Sequence, residues 1–283
     1  MLVKLAEIIK EADKKKYAIG AFNIFNLESA QAVVRAAKEM KSPAIVQVSE
    51  TTINYAGLKT ITKIVKSVAE EEARDIPIAL HLDHGRSFRS IVECIQAGFS
   101  SVQIDASDLP LEENISLTKS VVNFAHQKKV WVQGEIGRVP GTHGKSDNQI
   151  NSYKYTDPDE AGRFVKAAGV DTLAVAIGTT HGIMPGRINF PLLKKIRRVI
   201  DIPLVLHGAS GESAASLKKS IKYGVREVNI DTELRLVFVR AMRKFLNDDF
   251  DKYDPRLVLA SGREAIMAKV KEKIEQLGSA DTI

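Results

Sequence analysis

The chain has 283 residues and a formal net charge of +6 at pH 7, with 44% hydrophobic and 27% charged residues. This composition is typical of a globular protein, and no apolar run approaches the roughly 18 residues that a membrane span needs. Cys94 is the single cysteine, so no intrachain disulfide forms. Basic residues are spread among acidic ones, and the first residues lack the pattern of a signal peptide. We therefore expect a cytoplasmic protein without nucleic-acid or membrane partners.

Helical segments alternate with apolar, β-branched runs along the chain. The first helical segment covers residues 3–15, and the tail at 255–278 predicts one or two extra helices. Eight strands are predicted between them, at 17–23, 44–49, 76–83, 101–106, 129–137, 172–178, 202–208 and 226–232. Several of these strands are apolar almost throughout, which is typical of strands covered on both faces.

Eight strand–helix units predict an α/β fold, a single-domain (β/α)8 TIM barrel over residues 1–283, with the first helix capping its bottom. An open doubly wound sheet is the alternative, but the first unit lacks the glycine-rich fingerprint of a dinucleotide site. Residues 137–160 are rich in Gly, Pro, Asn and Asp and predict a long loop after the fifth strand. A loop of this length is often a functional lid, and a surface insertion is the alternative.

Three of the six histidines follow predicted strands, where the catalytic residues of such barrels lie. They are His84, His181 and His207, after strands three, six and seven. Three imidazoles at one rim predict an open transition-metal site, most naturally for Zn²⁺. Asp105 and Glu135, at the ends of strands four and five, are predicted either to orient these ligands or to hold the metal in an alternative position.

The stretch HLDHG places an aspartate directly before the first of these histidines. Asp83 is therefore well placed to move a proton to or from a substrate hydroxyl. His81 lies deeper in the same strand and is predicted to be a packed polar residue. His126 is predicted to lie on a helix surface.

The motifs HGASG and NIDTE follow strands seven and eight, where these barrels commonly hold phosphate. Gly208, Ala209 and Ser210 can cradle an anion, with Asp231 and Thr232 opposite them. A metal beside a phosphate pocket predicts a short phosphorylated substrate whose carbonyl is polarised by the ion. Retro-aldol cleavage without a Schiff base fits, because no lysine stands at these strand ends. Metal-assisted hydrolysis is the rival reaction.

Seven motifs in this order carry a family resemblance: HLDHG, SVQIDAS, GEIGR, YTDPDEA, AVAIGTTHG, PLVLHGASG and VNIDTE. From about Tyr17 to the C-terminal tail, the chain resembles class II zinc-dependent ketose-bisphosphate aldolases. The nearest branch contains fructose- and tagatose-bisphosphate aldolases, with relatives that act on phosphorylated deoxy-gluconates. The resemblance implies release of dihydroxyacetone phosphate, and a homodimer or homotetramer.

The resemblance also implies roles for individual residues. His84, His181 and His207 would bind Zn²⁺, and Asp83 would be the proton donor and acceptor. Backbone carbonyls near Gly182 and Gly208 would bind Na⁺ or K⁺. Residues implied to bind substrate are Asn23, Ser49, Gly182, Gly208, Ala209, Ser210, Asn229, Ile230, Asp231 and Thr232.

One segment departs from the family pattern. After the fifth strand the family carries GG-x-E-D/E, whose glutamate exchanges a proton on the dihydroxyacetone phosphate carbon. This chain reads VPGTHGKSD there, with His143 and Lys145 in place of the acids. His143 or Asp147 is a candidate replacement, since histidine has a suitable pKa. The alternatives are an aldolase for another phosphorylated ketose or a deoxy-gluconate phosphate, a metal-dependent hydrolase or isomerase, and an impaired paralogue that binds dihydroxyacetone phosphate.

Overall fold

The computed structural model describes residues 2–139, 154–183, 186–248, 251 and 253–283. Eight parallel strands close a barrel in chain order. They are β1 Ile19–Asn23, β2 Ala44–Ser49, β3 Ile78–Gly85, β4 Ser101–Ile104, β5 Trp131–Ile136, β6 Thr172–Val175, β7 Leu204–Leu206 and β8 Val225–Ile230. The barrel closes where β8 pairs with β1, with Asn229 beside Ala21. The predicted (β/α)8 barrel is confirmed, and the open doubly wound sheet is excluded.

The described residues also form eleven helices. They are α1 Leu5–Lys15, α2 Leu27–Glu39, α3 Glu50–Ala56, α4 Leu58–Glu72, α5 Phe88–Ala97, α6 Leu111–Gln127, α7 Pro158–Ala168, α8 Phe190–Val199, α9 Ala214–Lys222, α10 Thr232–Asp248 and α11 Pro255–Leu277. Helices α7, α8 and α11 begin alike, because Asp157, Asn189 and Asp254 accept backbone N–H bonds and a proline follows each of them in the first turn. No helix in the described part of the chain is both long and apolar enough to cross a bilayer.

Helix α1 closes the amino-terminal mouth of the barrel, as predicted. Its Leu5 and Ile9 pack against the inward-facing Ile19 and Ile45 of β1 and β2. Alternate residues of a strand face the same side, so the inward row of β1 continues from Ile19 to Asn23. The barrel interior is therefore apolar near α1 and becomes polar toward the carboxyl ends of the strands.

Strand β3 begins and ends two residues later than the sequence predicts, at 78–85 instead of 76–83. The predicted strand ends at Asp83, but β3 continues through His84 and Gly85. Gly85 pairs with Ile104 across a register shift, and His84 has a φ of +50°. A Cβ at position 85 would lie 2.7 Å from the Gln103 carbonyl oxygen, so glycine lets β3 stay paired with β4. Neighbouring strand residues normally face opposite sides, and this irregularity lets both Asp83 and His84 reach the barrel mouth.

The predicted loop at 137–160 ends earlier than expected. Helix α7 begins at Pro158 because Asp157 caps it. Arg138 and Lys154 form an isolated antiparallel bridge that joins the two ends of the segment. Residues 140–153, which include the candidate His143, lie outside the described residues.

Candidate active site

Three histidine rings come together at the carboxyl end of the barrel. His84 is supplied by β3, His181 by the turn after β6, and His207 by the end of β7. Their ring centroids are 4.8 Å (84 to 207), 5.7 Å (84 to 181) and 6.3 Å (181 to 207) apart. One nitrogen from each ring lies within 4.8 Å of the others, close enough for one metal ion to bind all three. The structure thus brings together the three predicted ligands.

Hydrogen bonds orient two of these rings toward a common point. Nδ1 of His84 lies 2.9 Å from Asp105 Oδ2, so an N–H there donates to the carboxylate and Nε2 presents its lone pair to a metal. Nε2 of His207 lies 2.9 Å from the Gln133 amide, whose oxygen has no other partner among the described residues. Rotating that amide by half a turn lets its oxygen accept the Nε2 proton, so that Nδ1 of His207 can bind a metal. This donor set fits Zn²⁺.

Two buried carboxylates make the surroundings of the rings negative. Glu135 accepts a bond from Gln103 at 2.8 Å and lies 3.7 Å from His207 and 3.9 Å from His84. Burial, followed by the Asp105 charge, raises the pKa of Glu135 to about 8. Burial lowers the pKa of His84, but the Asp83 and Asp105 carboxylates outweigh this and raise it to about 10. A cation is therefore favoured at this place, whether a proton or a metal ion.

Asp105 and Glu135 also belong to a second group of potential ligands. With His84 they offer three ligand atoms within 4.8 Å of one another. Burial raises the pKa of Asp105, but the His84 hydrogen bond and charge outweigh it and hold the pKa well below its usual value. Asp105 thus orients His84, and the alternative metal position that the sequence suggests for Asp105 and Glu135 is also geometrically available.

Asp83 is fixed beside the histidines by two amides. Asn23 Nδ2 donates to Asp83 Oδ2 at 2.7 Å, and Asn229 Nδ2 donates to Oδ1 at 3.4 Å. Asp83 Oδ1 also lies 3.8 Å from Nε2 of His84. The carboxylate is 5% exposed and cannot swing away without losing these bonds. It can therefore exchange a proton with a hydroxyl of a substrate that contacts the metal.

A pocket opens between the histidines and the start of α10. Its lining residues are Asn23, Asp83, His84, His181, Gly182, His207, Gly208, Ser210, Asn229, Asp231, Thr232 and Arg235. The sequence predicts all of them except Arg235. Arg235 lies one helical turn beyond Asp231 and donates to its Oδ2 at 2.5 Å. Burial raises the pKa of Asp231 to about 6, although the Arg235 charge opposes the shift.

One side of the pocket is suited to a phosphate. The turn Gly208–Gly211, which we call the phosphate turn, has φ of +63° at Gly208 and +85° at Gly211. A Cβ at position 208 would lie 2.7 Å from the Thr180 backbone, so only glycine allows this approach. The N-terminus of α10 faces the same space, and the partial positive charge of its backbone N–H groups attracts anions.

Three predicted substrate-binding residues do not line the pocket with their side chains. Ser49 caps α3 and accepts the Thr52 N–H at 3.3 Å. Ala209 and Ile230 are buried in the core. Backbone contacts from these positions to a substrate remain a prediction. His81 is fully buried and His126 is exposed on α6, as expected for both.

The sequence reasoning missed three residues at the site. Gln103 and Gln133 hold Glu135 and His207 from below. Each lies two residues before a predicted strand-end residue, so the alternation of a strand places it on the inward face. Arg235 lies four residues after Asp231, on the same helical face.

Comparison with known proteins agrees with this geometry. Residues 3–282 match the family described as fructose-bisphosphate aldolase class-II. The fructose-bisphosphate aldolase of Geobacillus stearothermophilus is 42% identical over 99% of this chain and 98% of its own, and that of Staphylococcus epidermidis strain RP62A is 40% identical over the same shares. The YdjI aldolase from Escherichia coli K12 superposes with a TM-score of 0.87 at 35% identity, covering 99% of both chains.

The chain belongs to the class II fructose-bisphosphate aldolase family. It is a lyase that cleaves a phosphorylated ketose by the retro-aldol reaction, as predicted, and zinc dependence is a trait of the family. The three histidines described above are chemically suited to that metal.

Proposed function

We propose that the substrate is fructose 1,6-bisphosphate or tagatose 1,6-bisphosphate, cleaved to dihydroxyacetone phosphate and glyceraldehyde 3-phosphate. The observation that carries the proposal is the placement of Asp83, fixed by Asn23 and Asn229, in the pocket that the histidine cluster and an anion-binding turn also line. A substrate with two phosphates matches a pocket that is lined by two anion-binding groups, the phosphate turn and Arg235. The phosphate turn would hold one phosphate, and the Arg235 guanidinium would attract the other.

His84, His181 and His207 would hold Zn²⁺, which when bound polarises the substrate carbonyl as a Lewis acid. Asp105 would keep His84 in the tautomer that binds metal. Gln133 would do the same for His207. One observation supports a monovalent cation nearby: the buried Thr179 Oγ1 has no partner among the described residues. We place Na⁺ or K⁺ at the carbonyls near Gly182 and Gly208, and replacing K⁺ by tetramethylammonium should then raise KM.

Asp83 would accept the proton of the C4 hydroxyl as the C3–C4 bond breaks. The C4 carbon leaves as the aldehyde, and the electron pair of the broken bond is delocalised into the carbonyl group of the other fragment. A second acid must then protonate C3 to complete dihydroxyacetone phosphate. His143 is the candidate, and it remains a prediction because it lies outside the described residues. His143→Ala should lower kcat, and an unchanged kcat would exclude this role.

The test is a cleavage screen with several phosphorylated ketoses, combined with metal analysis of the same sample. Two carbonyl fragments from fructose or tagatose 1,6-bisphosphate are expected. Cleavage of a different ketose or deoxy-gluconate phosphate instead would correct the substrate. Release of inorganic phosphate would indicate a hydrolase, and binding of dihydroxyacetone phosphate without turnover would indicate an impaired paralogue.

Arg235 provides a sharper test of the bisphosphate assignment. Arg235→Gln removes the charge while a polar side chain remains beside Asp231. We expect KM for the bisphosphate to rise about tenfold or more, with a smaller change for a ketose carrying a single phosphate. Equal changes for both substrates would show that Arg235 does not read the second phosphate.

A homodimer or homotetramer remains our prediction for the assembly. Three large apolar side chains, Val239, Leu246 and Leu257, are 41–55% exposed on α10 and α11. Exposed apolar groups of this kind are common at protein interfaces. Light scattering after size-exclusion chromatography gives the mass of the assembly, and a monomer would refute the prediction.

A further inference from the structure

A buried lysine lies behind the phosphate turn. Lys273 belongs to α11, nearly forty residues after the nearest pocket residue in sequence, yet it is 2% exposed. Its ammonium lies 2.8 Å from Oε2 of Glu233. Lysine is rarely buried without a charged partner, because removing the ammonium from water is costly. The ion pair therefore connects the C-terminal helix to the start of α10.

Glu233 links this lysine to the phosphate turn. Its other carboxylate oxygen, Oε1, accepts the Gly211 N–H at 2.9 Å. The Glu233 N–H in turn lies 3.5 Å from Oγ of Ser210, which lines the pocket. The conformation of the turn at Gly211, with φ at +85°, is thus fixed by a side chain whose own position depends on Lys273.

The same carboxylate creates an electrostatic problem. A negative charge directly behind the phosphate turn repels a phosphate dianion unless a positive charge cancels it. Lys273 supplies that charge. It also acts on a second buried acid, Glu212: burial raises the pKa of Glu212, and the Lys273 charge opposes that shift. One ammonium therefore pairs with Glu233 and also acts electrostatically on Glu212.

We infer that Lys273 is a positioning residue for the phosphate of the substrate. Through Glu233 it holds the Gly211 N–H in place, and its charge cancels the carboxylate behind the phosphate turn. The inference rests on the proposed phosphate site at this turn. Lys273 touches neither Asp83 nor the three histidines among the described contacts, so its loss should weaken binding of phosphate and spare proton transfer.

The primary experiment measures KM, kcat and inhibition by inorganic phosphate for Lys273→Met. We expect KM and the phosphate inhibition constant to rise about tenfold or more, while kcat at saturation changes little. Lys273→Arg keeps the charge and should restore most of the affinity. The matched control is Lys269→Met, on the same helix, whose ammonium pairs with Glu272 and not with the pocket. Its KM should equal that of the wild type.

A second pair of variants separates the charge of Lys273 from its effect on folding. Glu233→Gln keeps an oxygen for the Gly211 N–H and removes the negative charge. Adding Glu233→Gln to Lys273→Met should recover part of the lost affinity, because the Glu233 carboxylate is then no longer left without its partner. If Lys273→Met alone does not fold, the double variant is compared with Glu233→Gln, and the double variant should have the higher KM.

The outcomes distinguish this inference from the proposed function. Two results would overturn the positioning role alone. One is a Lys273→Met variant whose KM and phosphate inhibition equal those of the wild type. The other is an equal KM in the double variant and in Glu233→Gln. If kcat falls while KM rises in Lys273→Met, and Lys273→Arg restores neither, Lys273 has a structural role and the positioning role is overturned as well. If inorganic phosphate does not inhibit the wild type and Ser210→Ala leaves KM unchanged, the phosphate placement itself is wrong.

Discussion

The two halves of the barrel interior solve opposite problems. The half near α1 is filled with apolar side chains such as Ile9, Ile19 and Ile45, and its stability comes from burial of apolar surface. The half near the pocket holds charged groups, and Asp83 and His84 there are tied to partners by hydrogen bonds. Stability and chemistry are thus separated along one axis, as active sites at the carboxyl end of TIM barrels require.

Between the two halves lies a layer that follows neither rule. Gln47, His81 and Glu227 are fully buried, and each has at least one polar atom without a partner among the described residues. Unsatisfied buried polar atoms lower stability. Burial, followed by the Asp83 charge, raises the pKa of Glu227 to about 8, so this carboxyl is largely neutral at pH 7. The middle layer therefore tolerates polar groups mainly by leaving them uncharged.

Metal removal should affect the two halves most unequally. EDTA is expected to reduce cleavage to background, and added Zn²⁺ to restore it, because the carbonyl loses its Lewis acid. The half packed on α1 contains no proposed ligand, so the barrel should stay folded with a lower Tm. Activity assays and circular dichroism on one metal-free sample check both statements. Full activity without metal would reject the proposed site. Global unfolding would show that the folding of the half packed on α1 depends on the metal.

Asp83→Asn is the next largest perturbation. The side-chain shape is kept, so Asn23 can still donate to the remaining oxygen, but the base is lost. We expect kcat to fall by about 10²–10⁴-fold with the metal content unchanged. Steady-state kinetics and metal analysis test this, with Asp75→Asn as an exposed control. A loss of metal together with activity would mean that Asp83 is needed to bind the metal ion and not only to transfer the proton.

The sequence predicts the lower half of the barrel, near α1, more completely than the upper half, near the pocket. Periodic apolar residues specify the strands and the closing helix, because burial needs only the correct spacing. His84, His181 and His207 are recognisable because histidine is unusual at strand ends. The irregularity at Gly85 and the role of Gln133 depend on contacts between strands that are distant in sequence. No local pattern encodes those contacts, so the prediction that β3 ends at Asp83 was wrong by two residues.

Arg226→Met tests the lower half alone. The buried Arg226 guanidinium donates to Asp13 of α1 at 2.7 Å and to the carbonyls of Ile221 and Val225. Its loss removes a buried donor from both carbonyls, although the Ile221 carbonyl still accepts the Gly224 N–H, and it breaks the bond that holds α1. We therefore expect destabilisation of about 2 kcal/mol. Urea unfolding measures this, and Lys222→Met on α9 is the exposed control. Below the Tm, kcat and KM should stay at wild-type values, and a large change in kcat would show that the halves are coupled.

The Glu227→Gln variant tests the middle layer. Its effect on the free energy of unfolding should be smallest at acidic pH. The folded-state pKa of Glu227 is raised to about 8 from 4.5. Below pH 4.5 the carboxyl is protonated in both the folded and the unfolded chain, so its titration does not lower the free energy of unfolding. Between about pH 4.5 and 8 only the unfolded chain ionises, so the free energy of unfolding falls as pH rises. Above about pH 8 the folded carboxyl ionises too and the loss levels off. The Glu227→Gln variant lacks this loss, because its amide does not titrate.

The decisive quantity is the difference in unfolding free energy between wild type and Glu227→Gln across pH 5 to 8. The wild type should become steadily less stable relative to Glu227→Gln as pH rises. Titrations that both chains share cancel in the difference. Glu113→Gln removes an exposed carboxyl and serves as the matched control. Parallel curves for wild type and Glu227→Gln would mean that Glu227 is already ionised in the folded barrel. The middle layer would then hold a compensated charge, and it would belong with the upper half.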